Sequence, residues 1–208
     1  MIELFAADTP NGKKITIMLE ELNCDYKLSK IDLSKDEQFA TDFKKISPFS
    51  KIPAIIDHDN KQSLFESGAI LIYLGEKFNK FYEPKERTVI NQWLMAQMGT
   101  IGPMIGQHHQ FHHYNPGKSE FGESRYFKIA ERIYKELDER LSISKFLAGR
   151  DYTIADIATF PWIARHEWHD IGLNKFNSLK RWYKEISKRE AVIKGYDLLK
   201  KGEVIPKV

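Results

Sequence analysis

The residues whose types could carry chemistry fall at four places along the chain. In Gln107-His108-His109-Gln110-Phe111-His112-His113, His108 with His112 and His109 with His113 are each four apart. On a helix that is the spacing of one edge of a metal site. No second cluster of Cys, His or carboxylates accompanies the run, so no metal centre is expected. Glu66-Ser67 precedes the apolar run Ala69, Ile70, Ile72, Tyr73 and Leu74. A helix opening there turns unpaired amides and the positive end of its dipole toward an anion; read alone, a Ser cap beside an exposed acid is the preferred reading. Thr9-Pro10-Asn11-Gly12 reads first as turn chemistry, because Asn-Gly is a frequent turn pair. Cys24 is the single cysteine, which excludes an intrachain disulfide, and in Leu22-Asn23-Cys24-Asp25 it reads as a small residue near the core.

The elements that must position these residues come in two kinds. Residues 2–5 form a short apolar strand, Ile15, Met18, Leu19 and Leu22 recur at helical spacing, and Tyr26, Leu28 and Ile31 alternate. Such a strand, helix, strand unit closes as a parallel crossover. A charged stretch from Lys35 to Lys45 predicts a second helix, interrupted at Ser47-Pro48. Residues 52–56 and 63–65 predict a hairpin across Asp57-His58-Asp59-Asn60, and a third helix follows Glu66-Ser67-Gly68. The order is βαβαββα. Residues 79–88 are polar and aperiodic, a linker. Beyond it, Tyr126, Ile129, Ile133, Leu137 and Leu141, and then Phe176, Leu179, Trp182 and Ile186, step by three or four and predict a helical bundle. Thr153 with Asp156 three residues on reads as a structural capping box. The fold class is α/β plus all-α, with domains over 1–80 and 87–208.

Composition sets the outer limits. A chain of 208 residues with 42% hydrophobic residues supports two folded domains. Thirty-two basic against 29 acidic residues, interleaved as in Lys188-Arg189-Glu190, make a solvated surface and argue against a nucleic-acid partner. Met1-Ile2-Glu3-Leu4 has no basic leader, and no apolar run approaches the ~20 residues needed to span a membrane. A cytoplasmic protein without a membrane partner is expected.

Several motifs along the chain then resemble a known family. The strand-helix-strand opening, Ser-Pro-x-x-Lys-Ile-Pro-Ala-Ile at 47–55, Phe-Glu-Ser-Gly-Ala-Ile at 65–70 and Thr-Ile-Ala-Asp-Ile at 153–157 are similar to a glutathione transferase, over nearly the whole chain. Asn11-Gly12 after Thr9-Pro10, with Gln92-Trp93-Leu94 and Gly102-Pro103-Met104-Ile105-Gly106-Gln107, resembles the bacterial nu class, the disulfide-bond oxidoreductase type, and its relative the fungal nitrogen regulator.

The resemblance implies a thioredoxin-like N-terminal domain, an all-helical C-terminal domain, and glutathione as cosubstrate. It implies a cis Pro53, where base rates alone favour trans, and backbone groups of Ile52 that pair with the cysteinyl unit of glutathione. Glu66 and Ser67 would answer the γ-glutamyl ammonium and carboxylate, and Lys51 the glycyl carboxylate. Thr9 and Asn11 would activate the thiol, because no Cys, Ser or Tyr lies between Phe5 and Lys14. One hydrogen bond to a charged group contributes ~1.5–3 kcal/mol, enough to lower a thiol pKa by a unit or two. Arg125 matches an arginine that faces the cleft and suits the carboxylate of a second glutathione. The histidine run would line that polar cleft.

The reaction implied is glutathione-dependent reduction of small disulfides, in which bound glutathione is the reactive thiol. Conjugation of glutathione to electrophiles and a non-catalytic regulatory role are the alternatives. A homodimer is expected from the family.

Overall fold

The computed structural model describes residues 1–208. β1 (Ile2–Ala6), α1 (Pro10–Leu22) and β2 (Tyr26–Lys30) open the chain, and β1 and β2 pair in parallel with Leu4 opposite Leu28. α2 (Thr41–Ile46), β3 (Ala54–Asp57), β4 (Gln62–Phe65) and α3 (Ser67–Phe78) follow, in sheet order β2-β1-β3-β4. β3 runs antiparallel to both β1 and β4, so the thioredoxin-like order read from the sequence is present. β1 is covered on both faces, as an inner strand must be. Leu4 is fully buried with Ile55 opposite it, while Phe5 meets Phe43 of α2 edge-on at 6.2 Å. Each buried Leu or Ile contributes ~1.5–3 kcal/mol.

Local chemistry sets the helix ends. Thr9 caps α1 by accepting from the Gly12 N–H at 3.0 Å, Pro10 presets the first turn, and Asn23 ends the helix in the left-handed region. Gly12 admits no side chain, because a Cβ there would lie 2.3 Å from the Ala7 carbonyl oxygen. The expected helix over 35–45 is not continuous. Two 3-10 turns, at Leu33–Lys35 and Glu37–Phe39, precede the short α2. Asp32 accepts from the Ser34 N–H, and Asp36 stands at φ 57°, so short acidic side chains divert the backbone into local turns.

The second compact unit, Phe81–Arg189 with Ile205–Val208, holds α4 (Arg87–Ala96), α5 (Gly102–His108), α6 (Glu120–Ser142), α7 (Ile154–Ile163) and α8 (Asn177–Ile186). A π-helical turn at Gln97–Ile101 joins α4 to α5, and a second at His109–Tyr114 extends α5. Pro103 lacks the N–H that an α-helix would use there, and the first wide turn lies just before it. Every residue of α7 is buried. Its expected capping box is present: Asp156 accepts from the Thr153 N–H at 3.0 Å and the Thr153 hydroxyl at 3.1 Å, and Thr153 accepts from the Ala155 N–H. The second carboxylate oxygen accepts from the Leu147 N–H at 2.9 Å and the Trp182 indole N–H at 2.8 Å.

α9 (Glu190–Asp197) and the residues to Val204 belong to the first unit, with Met1–Lys80. Gly195 lies on α1 so closely that a Cβ would stand 2.6 Å from Ile17 Cα. Lys13 is wholly buried beneath this segment. Its ammonium pairs with Asp8 at 2.8 Å and Glu203 at 2.6 Å, donates to the Tyr196 carbonyl at 2.7 Å, and sits 4.2 Å from the centre of the Tyr196 ring.

Candidate functional site

Three chain segments of the first unit meet around a cavity of about 150 Å³. The first turn of α1 contributes Asn11, the loop before β3 contributes Ser47, Phe49, Lys51, Ile52 and Pro53, and the junction of β4 with α3 contributes Phe65, Glu66 and Ser67. The Ile52-Pro53 peptide is cis. Ser47 stiffens the loop: its hydroxyl donates to the Lys51 carbonyl at 2.7 Å and accepts from the Lys51 N–H at 3.2 Å. Phe49 is 73% exposed at the rim and meets Phe65 edge-on at 6.4 Å.

Glu66 is exposed and sits at φ 68°, a region L-residues rarely adopt, and its side chain makes no cap bond to α3. That leaves the carboxylate at the cavity wall while its own carbonyl accepts from the Ile70 N–H at 2.9 Å to start the helix. Ser67 is 5% exposed, with its hydroxyl oxygen 3.3 Å from the ammonium of Lys14, a residue at 1% exposure. Burial drives the Lys14 pKa well below the usual lysine range, and the Glu66 carboxylate partly offsets this.

Of the residues singled out by sequence, Asn11, Lys51, Ile52, Pro53, Glu66 and Ser67 thus line one cavity, while Thr9 does not. Thr9 stands two residues before Asn11, half-buried, with its hydroxyl accepting the Gly12 N–H. Cys24 lies past the other end of α1, which is itself ~16 Å along the helix axis from Asn11, with its sulfur near the Leu19 carbonyl. Ser47, Phe49 and Phe65 sit inside the quoted motifs but were assigned no role there. Lys14 had no signal beyond its place one helical turn after Asn11.

Arg125 belongs to the second unit, exposed on α6, with its guanidinium 6.0 Å from the Tyr126 ring. Tyr126 stacks on Phe111 at 5.3 Å, and Gly122 leaves room for that ring. Two residues of the histidine run depart from the expectation that it lines a polar cleft, while His112 is half-buried and His113 exposed. His108 and His109 are buried: the His108 Nε2–H donates to the His169 carbonyl at 2.9 Å, and His109 Nε2 meets His169 Nε2 at 2.7 Å. His169 Nδ1 in turn meets the Tyr134 hydroxyl at 2.5 Å. Burial holds His109 down to about 3, hence neutral. His113 stacks on Trp168 at 4.1 Å. No group of three or more His, Cys, Asp or Glu is arranged to hold a metal ion.

Against this geometry, the glutathione S-transferase N-terminal domain matches residues 2–76 and the C-terminal domain residues 99–190. The chain belongs to the glutathione S-transferase family. Disulfide-bond oxidoreductase YfcG of Escherichia coli strain K12 is 45% identical over 207 residues, covering 96% of this chain and 95% of that protein. A glutathione transferase family member from Pseudomonas fluorescens, solved with two glutathione bound, superposes with a TM-score of 0.87 at 39% identity over 94% of this chain and 92% of that one. A glutathione transferase from Pseudomonas putida, with one glutathione disulfide bound per subunit, gives 0.88 at 37% identity over 95% and 91%. No helix is long and apolar enough to cross a membrane.

Proposed function

We propose that the chain is a glutathione-dependent disulfide reductase in which glutathione supplies both reactive sulfurs. The observation that carries this reading is the cavity that gathers Asn11, Ile52, Glu66 and Ser67 with no cysteine in its wall. A thiol reaction there needs a thiol from the ligand. The backbone of Ile52, one residue before Pro53 and two before β3, suits strand-like pairing with the cysteinyl unit. Glu66 and Ser67 suit the γ-glutamyl ammonium and carboxylate, and Lys51 the glycyl carboxylate. Asn11 and Thr9 are assigned to the sulfur, whose thiolate they stabilise by hydrogen bonding. That thiolate attacks a small disulfide, forming a mixed disulfide and releasing one thiolate; a second glutathione thiolate then attacks the mixed disulfide. The products are glutathione disulfide and two thiols. Arg125, exposed and planar, is assigned to a carboxylate of the second glutathione. The bound states of the Pseudomonas relatives, two glutathione in one and the disulfide in the other, are those this sequence of steps requires.

On this reading the first unit, Met1–Lys80 with Glu190–Val204, binds glutathione, the protein works as a cytoplasmic homodimer, and nucleic acid is no partner. The test assays reduction of bis(2-hydroxyethyl) disulfide and conjugation of an aryl halide with one preparation. Disulfide reduction should dominate. Thr9→Ala and Asn11→Ala should lower kcat ~tenfold or more while changing glutathione affinity less, because they act on charge that grows as the thiolate forms. Arg125→Ala should raise the glutathione concentration needed for half-maximal rate. Dominant conjugation, with disulfide reduction at the uncatalysed rate, overturns the proposal.

A further inference from the structure

The turn that carries Thr9 and Asn11 is fastened at both of its ends. At its start the Ala7 carbonyl accepts the Thr9 N–H at 2.8 Å, and the Asp8 carboxylate pairs with the Lys13 ammonium at 2.8 Å. At its end the Thr9 carbonyl accepts the Lys13 N–H at 3.0 Å. Asp8 and Lys13 are therefore joined by their side chains across the segment that holds Thr9 and Asn11. Gly12 leaves no slack within it, since a Cβ would stand 2.3 Å from the Ala7 carbonyl oxygen and 3.0 Å from Leu199 Cδ1. Leu199 belongs to the stretch that follows α9, and the same stretch reaches Lys13. Glu203 pairs with the ammonium at 2.6 Å, and the Tyr196 carbonyl accepts from it at 2.7 Å. The Lys13 side chain is wholly buried among these oxygens, which fixes where its ammonium points and shields the pairs from solvent screening.

We propose that Lys13 is a positioning residue of the thiol-activating turn: anchored by Glu203 and Tyr196 of the C-terminal segment, it holds Asp8, and with it the placement of Thr9 and Asn11 against the glutathione sulfur. This rests on the glutathione reading above. Lys13 is not in the cavity wall, so it acts through the turn and touches no ligand. A hydrogen bond weakens steeply when its angle or length departs from the optimum. A small displacement of the turn therefore removes stabilisation of the growing thiolate charge, while Ile52, Glu66 and Ser67, on other segments, still bind the rest of glutathione. The last part of the first unit thereby sets the reactivity of the bound thiol.

The test compares wild type with Asp8→Ala, which cuts the link at the turn, and Glu203→Ala, which cuts it at the anchor. Three quantities are read below the lowest melting temperature: kcat for disulfide reduction, glutathione affinity by calorimetry, and the pH dependence of the thiolate absorbance of bound glutathione. Both variants should lower kcat ~tenfold, the size of effect expected from a misplaced catalytic group, and weaken glutathione less than ~threefold. In both, the bound thiol should titrate at higher pH than in wild type. Asp8→Asn, which keeps an oxygen beside the ammonium, should fall between wild type and Asp8→Ala. Lys194→Ala removes another ion pair between α9 and α1, that with Glu20 at 2.6 Å, and should leave kcat and the thiol titration unchanged. If either alanine variant does not fold, its amide counterpart, Asp8→Asn or Glu203→Gln, is measured in its place and should show the same split between kcat and affinity. With wild type active, a lower melting temperature at unchanged kcat and unchanged thiol titration overturns the inference alone, as does a loss in the Asp8 variant without one in the Glu203 variant. Absence of glutathione binding by wild type overturns the glutathione reading, and this inference with it.

Discussion

Glu66 combines a backbone that suits glycine with a side chain that glycine lacks. A non-glycine residue at φ 68° costs ~1–3 kcal/mol, and the carboxylate returns nothing to α3 as a cap. Glu66→Gly should therefore match or exceed wild-type stability by about 1 kcal/mol in urea melts. Glutathione affinity should fall ~tenfold or more in the same variant, measured by calorimetry. Stability gained with affinity unchanged would reduce Glu66 to a turn residue. Most of this cavity was legible from local sequence, because Ser47 to Ile55 and Phe65 to Ile70 each bring their residues to it within one loop or one helix start. Lys14 was not legible. Consecutive lysines on a helix read as a solvated face, since lysine is almost never fully buried. What buries Lys13 and Lys14 are Glu203 and Ser67, distant along the chain and at no characteristic spacing.

Whole elements depended on different information. The capping box of α7 was readable because both its members lie within one turn, yet its reach was not. The Asp156 carboxylate also holds the Leu147 amide and the Trp182 indole, so a cap became the joint of three segments. Asp156→Ala leaves four buried donor groups without this acceptor and should cost ~3–5 kcal/mol, read as a shift in the urea midpoint at unchanged slope. A loss under 1 kcal/mol would show that water replaces the carboxylate. The histidine run shows where periodicity holds for one pair and fails for the other. Of the pairs four apart, His108 does stack on His112 at 4.8 Å, but residues 109–114 form a π turn, and His109 instead meets a nitrogen of His169, sixty positions on. In the same way Asp36, in the left-handed region, divides a stretch whose composition is that of one helix.

For the whole molecule, boundaries drawn along the chain differ from compactness in space. Pattern reading separated a βαβαββα region from a helical one, because alternation gives way to helical spacing near residue 80. It had no means of assigning Glu190–Val204 to the first unit, since an amphipathic helix does not announce which surface it covers. A fragment of residues 1–80 should lack a cooperative thermal transition. It uncovers the face of α1 on which Gly195 packs against Ile17, and it leaves Asp8 as the Lys13 partner after Glu203 and the Tyr196 carbonyl are removed, so apolar burial that a small domain needs is lost. Adding a peptide of residues 190–204 should restore a transition visible by circular dichroism. Cooperative melting of the bare fragment, at the temperature of the full chain, would refute this.

The return of Glu190–Val204 to α1 also bears on the order in which the protein is made. A ribosome releases the strands and helices of the first unit early, but Gly195 and Glu203, which pack on Ile17 and neutralise Lys13, emerge more than a hundred residues later. At ~5–20 residues per second, α1 waits several seconds or more with Lys13 uncovered and Asp8 as its early partner. During that interval the nascent chain has its sheet and lacks its seal, so the first unit matures only after the helical unit has been synthesised.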